Sequence, residues 1–410
     1  MWDTLVHHRA FRRLWAAATI DACGTWLLVM AVPVHVYAVT GSATSTGLTL
    51  AIQALPAVMI GPWAGALTDR WPRRVVLVAA NTIAALGVGI LLVAADADRV
   101  GFVYLALVVE NIAVCFLRPA LQATIPAIVT DETGRASANA LLAVSHSALR
   151  ICAPLAGTYL TAIGWFAAVV VVDVVSYLSA AAIIARLPIP AVARQTGNAT
   201  RLVDELRQGW RLVTRNRVLA GLLTSSCLYW TANAALTALL VPFVVHRLDA
   251  SGQAVGFLVT GLGVGYLCGS AVSRRLLVRH AARTLLAVSY ALVGACFLIM
   301  FTTGSLPMAI IAVTAAGLPG AVAGVATTQH VQTAAPPSAR GRVSSAFLTS
   351  DSVAAVAGAL AAPAVVAVAG LPAALVILSS VVLLAAATAA ILLPAEDRPP
   401  VAELKDPRRA

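Results

Sequence analysis

The sequence predicts an all-α membrane protein of twelve transmembrane helices in two six-helix halves, with both termini cytoplasmic. Three observations carry this expectation. Of the 410 residues, 60% are hydrophobic and 11% charged, with a mean hydropathy of +0.89, which excludes a water-soluble globule. Twelve apolar runs are long enough to cross ~30 Å of hydrocarbon, at about 14–39, 43–67, 75–95, 100–128, 137–163, 165–187, 217–246, 253–277, 284–303, 306–333, 343–369 and 371–393. An even number of spans puts both termini on one side. If that side is the cytoplasm, all but four of the 28 basic residues lie inside: Arg99 and Arg247 fall outside, and Arg118 and Arg150 fall within the apolar runs.

The net charge of +11 is spread over short loops, so it reads as membrane topology and contact with anionic headgroups, not as a nucleic-acid surface. All six cysteines lie inside apolar runs, where they serve as small packing residues. Met1 to Arg13 precedes an apolar run too long for a signal h-region, so no cleaved signal is expected. There is no nucleotide-binding loop, zincin His-Glu pair or Cys-x-x-Cys, so the chain is expected to be no enzyme and to need no cofactor or metal.

Taken in order, the chain divides into a first half at 1–187, a cytoplasmic linker at 188–216, a second half at 217–394 and a cytoplasmic tail at 395–410. The halves look duplicated. Gly65 and Gly269 each stand near the end of a second helix before arginines, Gly134-Arg135-Ala136-Ser137 resembles Gly341-Arg342-Val343-Ser344, and Val32-Pro33 matches Val241-Pro242. The near-constant offset argues for a parallel repeat of six helices. In the linker, Leu202, Leu206, Trp210 and Val213 at helical spacing, with arginines on other faces, predict a basic amphipathic helix on the inner leaflet.

The stretch GPWAGALTDRWPRRVVL, Gly61 to Leu77, ends one apolar helix at an acid and an arginine cluster before the next begins. Gly65, Leu67, Asp69, Arg70, Arg73, Arg74 and Leu77 resemble the loop signature of the major facilitator superfamily, with Pro72 where that family has glycine. Phe11-Arg12-Arg13-Leu14-Trp15, Thr40-Gly41-Ser42, Ala54-Leu55-Pro56, Ala138-Asn139-Ala140-Leu141 and Arg340-Gly341-Arg342-Val343 look like its bacterial exporter branch, which includes macrolide efflux proteins and the enterobactin exporter. The resemblance covers nearly the whole chain. It implies alternating access in the cell membrane, with Asp69 gating against the positive N-terminal end of the eleventh helix near Arg342 to Ser345. Pro154-x-x-Gly157 resembles part of the antiporter motif, with Ala153 in place of its first glycine. Arg118 resembles the arginine of the proton-coupled exporters, but the glutamine here, Gln122, stands one place late.

Charges inside a bilayer are costly and mark functional sites. Here they are Asp21, Glu110, Asp173 and Asp351 against Arg118 and Arg150. Counting ~1.5 Å per residue, Asp21 and Arg118 lie at depths of roughly 10 and 15 Å and are expected to pair across a cavity, with Thr25 one turn beyond Asp21. Arg150 and Asp173 come out together at a depth of ~20 Å, and Asp351 is expected to stand alone. With four acids for two arginines, two carboxylates lack a partner and can carry protons. His146, His35 and His330 are expected to be packing residues. Gly261, Gly265 and Gly269, the row Ser350, Ala354, Gly358 and Ala362, and the strip Ala57, Gly61 and Gly65 are expected to be surfaces on which the halves rock.

These features predict a monomeric secondary exporter of a small amphipathic organic compound in exchange for protons, as in multidrug or antibiotic efflux. A dedicated exporter of a siderophore or other natural product fits equally. A non-transporting sensor or scaffold and an uptake facilitator are the other readings.

Overall fold

The computed structural model describes residues 9–394, apart from 69, 94–98, 130, 190–198 and 337–338. The described secondary structure is helical throughout: α1 (Arg9–Thr40), α2 (Ala43–Met59), α3 (Gly61–Thr68), α4 (Arg73–Gly89, followed by a 3₁₀ turn Ile90–Val93), α5 (Val100–Ile128), α6 (Glu132–Ala162), α7 (Phe166–Ala185), α8 (Ala199–Arg215), α9 (Arg217–Ala238), α10 (Leu240–His246), α11 (Gln253–Arg279), α12 (Ala282–Thr302), α13 (Leu306–Ala334), α14 (Arg340–Ala369) and α15 (Leu371–Leu392). In hydrocarbon every backbone amide must be satisfied within the segment, which is why apolar runs of this length become helices. Ten single helices are long and apolar enough to cross a membrane, and the pair α9 and α10 makes an eleventh.

Two expected runs are broken. The run at 217–246 bends by 43° between α9 and α10, where Pro242, inside α10, has no N–H to donate back to the preceding turn. The run at 43–67 is split at Ile60, whose N–H closes on Pro56 O at 2.8 Å. By itself α2, at 17 residues, is shorter than the helices that qualify as single spans.

Caps and turns fix the ends. Ser42 Oγ accepts from Ser45 N at 3.2 Å, Asp131 accepts from Gly134 N at 2.6 Å, and Asn216 Oδ1 accepts from Val218 N and Leu219 N. The hairpin turns at Gly41 (φ 61°) and Gly370 (φ 77°) use a left-handed backbone that glycine adopts without strain.

The helices pack in a pattern that repeats. α1 lies against α6 and α7, α4 against α5 and α7, and α2 against α5. Likewise α9 lies against α14 and α15, α12 against α13 and α15, and α11 against α13. One buried apolar cluster runs from Phe11 to Leu187, and a second is built from residues 213–393 with Val34 and Tyr37 joining it. Between the two sets, α2 packs on α14 and α6 on α11.

The small-residue strips correct an expectation. A Cβ on Gly261 or Gly265 would meet Thr314, and one on Gly269 would meet Leu318 O, so this row is clamped to α13 of its own half. Gly358 lies against Thr231 of α9 and Gly157 against Leu27 of α1, again within one half; Pro154 is buried beside it. Among the described residues nothing beyond its own helix and chain neighbours comes within 4 Å of a Cβ at Gly61, and the surroundings of Gly65 lie outside the described residues. Small-xxx-small spacing announces close approach but does not say which neighbour approaches. The glycines that meet across the halves are others: Gly47 against Ala359 O and Pro363, Gly252 against Val34, Gly256 against Leu155 and Thr158, and Gly263 against Ile151.

A contrast follows for measurement. Gly265→Val must displace backbone on α13 and is expected to cost on the order of 1–3 kcal/mol, whereas Gly61→Ala should be near neutral. Melting of the two purified variants in detergent checks this, and equal melting temperatures would refute the packing assignment.

Candidate functional site

A cavity of about 240 Å³ lies within the first half, and Asp21, Thr25, Glu110 and Arg118 all line it. Helical period explains the placement. On α1, Asp21 and Thr25 are one turn apart on one face, and Gly24 is the contact point beside them. A Cβ at Gly24 would collide with Asp173 Oδ1 and Ser176 Oγ of α7. The missing side chain is what lets α7 bring Asp173 and Tyr177 up against α1.

Three carboxylates therefore gather here. Glu110 Oε1 accepts from Tyr177 OH at 3.2 Å, and that hydroxyl is 3.1 Å from Thr25 Oγ1. Ser176 Oγ donates to Asp173 Oδ1 at 3.2 Å. Asp21 Oδ1 and Asp173 Oδ2 are buried with no hydrogen-bond partner. Glu110 is near enough to interact electrostatically with both aspartates. Glu110 and Asp173 are almost sealed, at 6% and 0% exposure.

The expected Asp21–Arg118 pair is not formed. Among the described residues neither side chain makes an ion pair or a hydrogen bond. Asp21 turns toward Glu110 and α7, while Arg118, two helical turns beyond Glu110 on α5, is exposed on the cavity wall. Counting depth along each helix located both residues but left their azimuth open. For the same reason Arg150 does not meet Asp173. Arg150 is exposed on α6 with its guanidinium 5.7 Å from the centroid of Trp26 and 5.5 Å from that of Tyr266, one ring from each half. Asp351 is not alone: Ser226 Oγ donates to its Oδ1 at 2.8 Å. Gln122 is exposed and is not among the residues lining the cavity.

Several site residues were not anticipated. Tyr177 bridges Glu110 and Thr25, and Trp26 lines the cavity while facing Arg150. Asn81 of α4 donates to Leu77 O at 2.7 Å and leaves its Oδ1 buried without a partner. His146, expected to be a packing residue, is an exposed part of the cavity wall. The signal was present for Tyr177 and Asn81, since each is a polar group in an otherwise apolar span.

At the end of the molecule where α1 finishes, the halves are clasped. Tyr37 OH is 2.6 Å from His246 Nε2 there, and nearer mid-depth, beside Arg150, Thr260 Oγ1 donates to Ile151 O at 2.8 Å. At the other end α3 turns through Arg70 N→Leu67 O and Trp71 N→Thr68 O into α4, which starts at Arg73 and Arg74 after Pro72. Asp69 itself lies outside the described residues, as do the side chains of Leu202 and Leu206. α3 touches α14 and α8, and α8 packs on the start of α14, where Gly209 meets Arg342 O and Arg342 donates to Gln208 Oε1. The linker helix is thus docked on protein, with Val213 buried and Trp210 exposed.

This architecture, helices in repeated pairings around an intramembrane polar cavity, has known counterparts. The chain superposes on the crystal structure of the nucleoside transporter NupG (D323A mutant) with a TM-score of 0.78 at 13% identity, over 94% of this chain and 100% of that one. It is 24% identical over 306 residues to macrolide efflux protein A of Streptococcus pyogenes, covering 69% of this chain and 72% of the relative. It is 27% identical over 350 residues to the enterobactin exporter EntS of Shigella dysenteriae serotype 1 (strain Sd197), covering 82% and 80%. The family described as transmembrane secretion effector matches residues 3–406. The chain therefore belongs to that family, within the major facilitator superfamily, and is a multi-pass membrane transporter, not an enzyme.

Proposed function

We propose that this protein is a monomeric secondary exporter of a small amphipathic organic compound, working by alternating access in exchange for protons. Its two halves, 1–187 and 217–394, each contribute six spans, with α2 and α3 together completing the twelfth. Both termini and the arginine-rich loops, including Asp69, Arg70, Arg73 and Arg74, face the cytoplasm. The observation that carries this reading is the carboxylate cluster of Asp21, Glu110 and Asp173 beside a cavity that a small organic molecule can enter. Carboxylates gathered inside the membrane are costly and serve as carriers for protons exchanged against substrate. A sensor or scaffold has no use for such a cluster.

Self-made natural products are the second substrate class, supported by the enterobactin exporter's similarity over a larger share of this chain than the macrolide exporter's. Everted vesicles test the main reading with a panel of macrolides and catecholates. Uptake should require an acid lumen, collapse with a protonophore and ignore sodium. Accumulation that survives the protonophore but needs sodium would overturn proton exchange.

A further inference from the structure

We propose that the intramembrane site selects an amphipathic organic anion with a flat aromatic body, and that Arg150, held between Trp26 and Tyr266, binds its acidic group. This deepens the exporter reading by naming the substrate class, and rests on that reading for the transport step alone.

The intramembrane charges sort by exposure. Three of the acids are engaged or sealed: Glu110 accepts from Tyr177, Asp173 is shut against α1, and Asp351 accepts from Ser226. Asp21 is half-buried and turned toward Glu110. The cations are open: Arg118, His146 and Arg150 are all exposed. Among the described residues neither arginine has an ion pair or a hydrogen bond. An uncompensated cation at this depth is costly, and an anionic ligand removes the cost. A cationic ligand beside Arg150 would instead meet an unneutralised guanidinium, with Asp173 sealed and Glu110 engaged by Tyr177.

Geometry gives the second half of the argument. The Arg150 guanidinium carbon lies over the rings of Trp26 and Tyr266 at 5.7 and 5.5 Å, contacts that use the cation's charge and none of its N–H donors. Its N–H fork is left for a carboxylate, sulfonate or phosphate, which it can engage through two parallel hydrogen bonds. Behind Tyr266 the ring is braced by the core: its hydroxyl is 3.3 Å from the OH of buried Tyr229, which packs 5.1 Å from buried Tyr290. A flat apolar body attached to the acid lies along Trp26, which also lines the cavity. Because Trp26 belongs to the first half and Tyr266 to the second, one bound anion touches both moving parts.

The test compares two dyes on one xanthene scaffold, anionic carboxyfluorescein and cationic rhodamine 123, binding to purified full-length protein, read by dye anisotropy. The wild type should bind the anionic dye at least roughly tenfold more tightly, a preference worth about 1.4 kcal/mol. Arg150→Gln should erase that preference, and Arg150→Lys, which keeps the charge but loses the fork, should fall between. Equal affinity for the two dyes, or no saturable binding of the anionic one by wild type, overturns the proposal without any variant. Binding preference with no flux in proteoliposomes under a pH gradient would leave the anion site standing and refute the exporter reading instead.

Discussion

Glu110→Gln is expected to fold and to bind substrate, yet to stop the pH gradient from driving it. The amide oxygen can still accept from Tyr177 OH, so the hydrogen bond seen at 3.2 Å is kept and the stability change should stay near 1 kcal/mol. What is lost is the group that takes and releases a proton. A gradient of one pH unit supplies about 1.4 kcal/mol per proton exchanged, which supports roughly tenfold accumulation of substrate. The variant's accumulation ratio should fall to about one, while energy-independent exchange of labelled for unlabelled substrate continues. Tenfold accumulation by the variant would remove Glu110 from the coupling step. Asp21→Asn, whose Oδ1 is buried without a partner, should behave in the same way.

The second large effect belongs to Gly24. Any side chain there must enter the space held by Asp173 Oδ1, Ser176 Oγ and the Asp173 backbone, whose Cα is 2.8 Å from the Cβ position. Gly24→Val should push α7 from α1, cost on the order of 1–3 kcal/mol and disperse the acid cluster along with the fold of that contact. Melting temperature and transport should both drop. Adding Ser176→Ala to Gly24→Ala should recover part of the loss, because it removes one of the two side-chain oxygens in the way, and neighbours of this kind are not additive. A wild-type melting curve for Gly24→Val would show that the two helices do not meet there.

Much of this fold was legible because hydrocarbon leaves the backbone few choices. Each apolar run became helix, and the proline of Val241-Pro242 marks a bend that the run at 217–246 did not announce. The site was legible in kind but not in pairing. Sequence named Asp21, Glu110, Asp173, Arg118 and Arg150 from the cost of burying charge, and depth was countable along each helix. Rotation about the helix axis was not, so the acids were matched with arginines that face elsewhere. Gly24 was the clue to the correct arrangement, since a lone glycine one turn from an intramembrane acid allows another helix to come close. It lacks a partner at four-residue spacing and so carries no packing signature, while the regular row Gly261, Gly265 and Gly269 carries one and seals α11 to α13 of its own half.

Direct measurement of proton movement tests the central claim that substrate and protons exchange through the Asp21, Glu110 and Asp173 cluster. Proteoliposomes would be loaded with the compound that everted vesicles transport best and diluted into lightly buffered medium at equal pH, with an electrode outside. As substrate leaves, protons should enter and the external pH should rise, with no rise for Glu110→Gln even though substrate still escapes. Substrate efflux from wild-type vesicles with no change in external pH would contradict proton exchange.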